Sequence, residues 1–243
     1  ICGDVGFGKT EVALRAAFVT AMEGKQTAIV VPTTLLARQH YQVFAQRFAD
    51  FPVEVAQISR LVPAATIKNV KAGLDSGTVD IVIGTHALLA KDLRFDRLGL
   101  LIVDEEQHFG VAHKERLKSL KTNVHVLTMT ATPIPRTLQM ALSGVRELSL
   151  IATPPVDRLA VRTFVSPFDP LVIRETLLRE RYRGGQSFYV CPRISDLAEV
   201  KAFLDEHVSE LKVAVAHGQM APGELDDVMN AFYDGSYDVL LST

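Results

Sequence analysis

The chain has 243 residues, room for one large or two modest domains, and at 48% hydrophobic and 22% charged it has the balance of an ordinary globular protein. No apolar run reaches the roughly 18 residues of a membrane helix, and Ile1-Cys2-Gly3 lacks the basic-then-apolar order of a signal peptide, so no membrane partner is expected. Net charge is −2, split as +3 over residues 1–152 (17 Lys+Arg, 14 Asp+Glu) and −5 over residues 153–243 (9 and 14), which excludes a broadly basic nucleic-acid binder and leaves only a local groove.

Apolar, β-branched runs alternate with amphipathic stretches. In chain order, Thr10–Met22 reads as a helix, Thr27–Val31 as a strand, Leu35–Phe48 as a helix and Val53–Ile58 as a strand. Ala64–Leu74 follows as a helix, then strands Val79–Ile83 and Leu100–Val103, helix Lys114–Lys121 and strand Val124–Met129. Strands this apolar, spaced by helices, are buried on both faces, as in a parallel α/β sheet.

Ala152-Thr153-Pro154-Pro155 breaks the pattern with two prolines and predicts a stiff link over 153–160. A first domain is therefore expected over 1–152 and a second over 161–243. In the second, Val161–Val165, Ser187–Cys191, Val213–Ala216 and Val239–Leu241 read as strands, and Asp169–Tyr182, Asp196–His207 and Pro222–Tyr233 as helices. The second unit is expected to be truncated inside its fourth strand. Cys2 and Cys191 stand far apart with no C-x-x-C or Cys/His cluster. Zinc and a disulfide are not expected, and two buried thiols suit a reducing cytoplasm.

Gly3-Asp4-Val5-Gly6-Phe7-Gly8-Lys9-Thr10 spells G-x-x-x-x-G-K-T, the phosphate-cradling P-loop. Its glycines let the backbone turn tightly and aim N–H groups at phosphate oxygens, and the helix that follows adds its positive end. Lys9 would reach the β- and γ-phosphates of ATP and the Thr10 hydroxyl would ligate Mg²⁺. The strand that ordinarily precedes such a loop has almost no room before Gly3, so the chain is expected to be part of a larger protein.

Asp104-Glu105-Glu106-Gln107 closes an apolar strand, where parallel sheets bind ligands. Asp104 is the candidate partner of Mg²⁺ and Glu105 the candidate base for the attacking water. Gln107 would sense the γ-phosphate or cap the turn. Thr130-Ala131-Thr132-Pro133 follows the next strand; Thr130 and Thr132 would couple the nucleotide site to the second domain, or simply form a Thr-rich turn.

The order of these motifs, with Pro32-Thr33-Thr34-Leu35-Leu36-Ala37 and Gly84-Thr85-His86 between them, resembles the first motor domain of superfamily 2 helicases and translocases. The resemblance implies two RecA-like parallel-sheet domains in tandem that clamp ATP and move along nucleic acid. It places Thr33, Thr34, Gly84, Thr85 and His86 on the DNA backbone, held by hydroxyls and N–H groups rather than by strong charge. Ordinary turn chemistry, with Thr33 or Thr34 as a helix cap, accounts for the same residues. Arg136 would touch DNA or pair with a carboxylate. In the second unit Ala216-His217-Gly218-Gln219-Met220 matches a family segment, so His217 and Gln219 are either DNA contacts or turn residues.

Gly3–Ala13, Val31–His40, Ile83–Leu89, Leu98–Val111, Thr130–Thr137 and Ile151–Pro155 resemble the bacterial transcription-repair coupling factor family (Mfd type) more closely still. The RecG-type branched-DNA helicases share Gly-Asp-Val-Gly and Thr-Ala-Thr-Pro-Ile-Pro-Arg-Thr; Phe7, Glu11 and Ile151–Pro155 favour the coupling factors. The family often has His-Arg where Gln107-His108 stands. The resemblance implies a cytoplasmic, DNA-dependent ATPase that translocates on double-stranded DNA. Through domains outside these residues it would remove stalled RNA polymerase and recruit an excision-repair damage-recognition protein. A branched-DNA helicase, and a nucleotide-binding scaffold without useful turnover, are the other readings. The 243 residues alone are expected to be poorly active, because the family's arginine-rich motif falls after Thr243.

Overall fold

The computed structural model describes residues 1–90, 92–109, 124–131, 147–156 and 161–243. The chain forms two compact units, 1–159 and 160–243. In the first, β1 is Cys2–Gly3, α1 Lys9–Met22, β2 Gln26–Val30, α2 Thr34–Arg47, β3 Val55–Ile58 and α3 Ala64–Ser76. Then come β4 Ile81–Gly84, β5 Leu98–Asp104, β6 His125–Met129 and β7 Leu150–Ile151.

Five strands form one parallel sheet in the order β3-β4-β2-β5-β6. Successive side chains of a strand point to opposite faces, and both faces are covered here. Ala28, Val30, Val82, Leu101 and Val103 pack with Val70 and Leu74 of α3. Ile29, Ile81, Ile83, Leu100 and Ile102 pack with Ala13, Leu14 and Ala17 of α1 and with Ala37 and Phe44 of α2. This double burial is why the strands read as unbroken apolar runs.

The strand before the P-loop exists, though it is only two residues long. β1 pairs in parallel with β7 and bridges Thr130, just beyond β6. One strand, β6, therefore lies between the strand that runs into the P-loop and the strand that ends at Asp104.

Helix ends follow from local chemistry. Thr33 caps α2, its hydroxyl accepting from the Leu36 N–H at 3.2 Å. Gly77, at φ 75°, ends α3 in a left-handed turn. Gly84 has a packing reason: a Cβ there would lie 2.3 Å from the backbone oxygen of Ile58 on the neighbouring strand. Gly84→Ala is expected to push β3 from β4 and to cost about 1–3 kcal/mol, as overpacking does. A lowered thermal midpoint with nucleotide binding still measurable is the expected result.

The second unit contains α4 Pro170–Tyr182, β8 Ser187–Val190, α5 Leu197–His207, β9 Val213–Ala216, α6 Pro222–Tyr233 and β10 Val239–Ser242. Its parallel sheet has the order β8-β10-β9. Asp169 caps α4, accepting from Leu171 N–H at 2.9 Å, with Pro170 at the first helical position. The strand expected at Val161–Val165 does not form. The segment carries no ladder, and Val161 and Val165 are 87% and 99% exposed. β-branched residues favour extended backbone, but a strand also needs a neighbour to bond to. The expected helix at Lys114–Lys121 lies outside the described residues. Among the described residues no helix is long and apolar enough to cross a membrane.

Candidate nucleotide site

The P-loop is built on left-handed glycines. Gly6 and Gly8 have φ 78° and 87°, values that a side chain would strain. Gly8 is also the N-cap of α1 and no side chain caps that helix, so the helix's first N–H groups face the loop. Asp4 shapes the turn: its Oδ1 accepts from Val5 N–H at 2.7 Å and its carbonyl accepts from Phe7 N–H at 3.2 Å. The Lys9 ammonium donates to the carbonyl oxygens of Gly3 (2.7 Å) and Asp4 (3.1 Å). It thus sits over its own loop, where phosphate oxygens would compete for it. Thr10 is the second residue of α1.

Gly3 is buried, and a Cβ there would meet the Ile151 side chain at 3.1 Å. Its N–H donates to the Thr130 carbonyl at 3.2 Å. Thr130 in turn donates from its hydroxyl to Oε2 of Glu105 at 3.4 Å, and the Ala131 N–H donates to Oε1 at 3.2 Å. Gln107 Nε2 also donates to Oε2. A chain of hydrogen bonds therefore runs Lys9, Gly3, Thr130, Glu105. It joins the P-loop to the acid pair through the segment after β6.

Glu105 carries the lone positive φ (50°) outside glycine among the described residues. Left-handed backbone on a residue with a Cβ is costly and marks a position held by its surroundings. Here the surroundings are Gln107, Thr130, Ala131 and the Met129 carbonyl, which accepts Glu105 N–H at 3.0 Å. Its neighbour Asp104 is held from the other side: Oδ2 lies 3.2 Å from Nε2 of His40, on α2. Sequence reasoning did not single out His40. The signal was there, because Ala37, His40 and Phe44 share one face of α2 and all three are buried.

Five expected DNA-contacting residues of the first unit, Thr33, Thr34, Gly84, Thr85 and His86, cluster. Val30 pairs with Gly84 across β2 and β4, and Val31 N–H donates to the Gly84 carbonyl at 2.9 Å. Thr33 and Thr34 thus emerge beside Gly84, Thr85 and His86, at the carboxyl ends of adjacent strands. Thr33 has its hydroxyl on the α2 cap, Thr85 is 6% exposed, and His86 is exposed. In the second unit His217 follows β9 and opens a turn, donating its N–H to Met220 Sδ at 3.4 Å and accepting from Met220 N–H at 3.1 Å; Gln219 is exposed there. Thr132 and Arg136 lie outside the described residues.

A DEAD/DEAH box helicase domain matches residues 1–141, and a helicase conserved C-terminal domain matches residues 170–243. The chain belongs to the DEAD/DEAH box helicase family. Its fold is two RecA-like domains in tandem, as the resemblance to superfamily 2 helicases implied. Over its whole length it is 55% identical to the transcription-repair-coupling factor of Rickettsia bellii and 54% identical to that of Escherichia coli. It spans about a fifth of those relatives, 22% and 21% of their length. The resemblance to the coupling factors read from the motifs is borne out.

Among solved structures, RecG bound to a three-way DNA junction matches all of the chain and 33% of RecG, with TM-score 0.79 and 37% identity. S. cerevisiae Dbp5 bound to RNA and ADP BeF3 matches all of the chain and 65% of Dbp5, with TM-score 0.65 and 17% identity, which speaks for the fold alone. The helicase family implies nucleotide binding, and the P-loop geometry agrees with it.

Proposed function

We propose that the chain is the ATP-driven motor of a double-stranded DNA translocase of the transcription-repair-coupling type. The observation that carries this reading is the hydrogen-bonded chain from Lys9 through Gly3 and Thr130 to Glu105, which ties phosphate cradle and acid pair into one unit.

In this reading the loop N–H groups of residues 6–10 hold the β- and γ-phosphates, and Lys9 exchanges the Gly3 and Asp4 carbonyls for phosphate oxygens. Thr10 and Asp104 would hold Mg²⁺, which neutralises charge on the phosphates when bound. Among the described residues no three His, Cys, Asp or Glu side chains cluster as a metal cage. That fits a magnesium ion, which takes one or two protein groups and fills the rest with phosphate and water. Glu105 accepts the proton of the water that attacks the γ-phosphorus, as the bond to the bridging oxygen breaks and ADP leaves with its electron pair. Thr130 and Ala131 orient the accepting carboxylate. Gln107, on the same carboxylate, follows its state.

Thr33, Thr34, Gly84, Thr85 and His86 grip the DNA backbone from the adjacent strand ends; within the second domain His217 and Gln219 are its DNA contacts, and Thr132 and Arg136 belong to the same reading. RNA polymerase and the excision-repair damage-recognition protein would be engaged by parts of the full-length protein beyond these residues. Identity of 53–55% to proteins named coupling factors, against 37% to RecG, supports this over the branched-DNA reading.

The test uses the full-length protein and a third strand annealed to linear duplex DNA. ATP-driven displacement of that strand is expected, and Lys9→Ala should lower both displacement and ATP turnover by at least about 10²-fold, the scale for losing one preorganised charge donor. Undiminished turnover in Lys9→Ala would sink the motor assignment. Activity confined to forked or junction DNA would move the protein to the RecG type.

A further inference from the structure

His40 is 7% exposed, and it lies on the apolar face of α2 between Ala37 and Phe44. A buried imidazole beside Phe44 is costly unless its N–H finds an acceptor. The acceptor comes from 64 positions away: Oδ2 of Asp104, 3.2 Å from Nε2. The two side chains are 8% and 13% exposed, so little water competes for the bond. The ring itself is fixed by an edge contact with Phe44, centroids 6.4 Å apart.

Among the described residues one oxygen of the carboxylate is used. Among the described residues Oδ1 of Asp104 takes no hydrogen bond. Carboxylates that ligate metals are commonly held in this way, one oxygen on a neighbouring donor and the other free for the ion. The adjacent acid has a separate support, since Glu105 is bonded by Thr130 and Ala131 from the segment after β6. Two neighbouring acids are thus aimed by two different elements, α2 for Asp104 and the end of β6 for Glu105.

We propose that His40 is the positioning residue for Asp104, fixing the carboxylate rotamer that receives the magnesium–nucleotide complex. The inference rests on the ATP reading above and adds a residue to it. His40 touches neither phosphate nor metal; it acts through the Oδ2 bond. Because Glu105 is held independently, loss of His40 weakens metal capture and spares water activation.

The experiment compares wild-type full-length protein with His40→Leu and His40→Gln. Two quantities are read: binding of a fluorescent ATP analogue with and without added Mg²⁺, and the Mg²⁺ concentration that half-saturates ATP turnover. His40→Leu is expected to raise that concentration about 10–100-fold, the usual effect of losing a ligand's hydrogen-bond partner. Metal-free nucleotide binding should be unchanged, and turnover should recover at saturating Mg²⁺. His40→Gln, whose amide nitrogen reaches as far as Nε2, should restore the wild-type requirement. If leucine unfolds the domain by circular dichroism, His40→Asn, too short to reach Oδ2, takes its place. A wild-type metal requirement in the leucine or asparagine variant overturns the proposal while leaving the ATP reading intact. Absence of metal-dependent nucleotide binding in the wild type overturns both.

Discussion

Glu105→Gln is expected to lower ATP turnover of the full-length protein by about 10²–10⁴-fold, the range for removing a general base. Nucleotide affinity should stay within about threefold. The substitution removes the proton acceptor and little else. Glutamine has the same length: its amide oxygen can stand where Oε1 accepts from the Ala131 N–H, and its nitrogen then takes the place of Oε2, where the Thr130 hydroxyl and the Gln107 amide can turn to accept from it. The left-handed backbone at 105 is unchanged by the side-chain swap, because it is held by the Met129 carbonyl on its N–H. The P-loop, Lys9 and Asp104 are untouched, so binding survives. Single-turnover hydrolysis together with a binding titration separates the two effects. A variant that turns over ATP at the wild-type rate would show that Glu105 is only a structural acid for the Thr130 segment. Loss of binding in parallel with turnover would show the same by a different route.

The sheet was legible in the sequence wherever burial on both faces leaves an unbroken apolar run, as at Ile81–Gly84 and Leu98–Asp104. The P-loop was legible because its glycines must stand where the backbone turns left-handed, and Gly6 and Gly8 do. The same apolar signal misled at Val161–Val165, since extended preference is local and the ladder that makes a strand is not. Long-range pairs were invisible for a related reason. His40 and Asp104 are 64 positions apart, and neither residue type announces the other. Glu105's backbone was also hidden, because a glutamate gives no local cue for positive φ. Gln26 was placed just outside the strand that it begins. A polar residue ahead of an apolar run looks like its solvent-exposed end, yet Gln26 is 1% exposed.

Gln26→Leu is expected to be the most destabilising of these substitutions, by about 3–5 kcal/mol, because each buried polar group left without a partner costs about 1–3 kcal/mol. The Gln26 amide nitrogen donates to the carbonyls of Leu74 (3.0 Å) and Val79 (2.9 Å), and its oxygen accepts from Arg97 N–H at 2.9 Å. Those three groups lie on the last turn of α3, the approach to β4 and the approach to β5. One side chain therefore fastens three chain segments at the amino ends of β2, β4 and β5. Leucine fills nearly the same volume and would gain some hydrophobic burial, but it bonds none of the three; the Leu74 carbonyl keeps the Asp96 N–H at 3.1 Å, while the Val79 carbonyl and the Arg97 N–H lose the Gln26 amide. The carboxyl ends of the same strands carry Thr33 and Thr34, Gly84 to His86, and Asp104. Loosening one end of a parallel sheet lets its strands slide in register, so the effect should reach the opposite end. Hydrogen exchange of the β2, β4 and β5 amides is expected to speed up together in Gln26→Leu, with a lowered thermal midpoint. Faster exchange confined to the α3–β4 turn would mean that the amide seals a local turn and that the register of the central sheet is set by its side-chain packing alone.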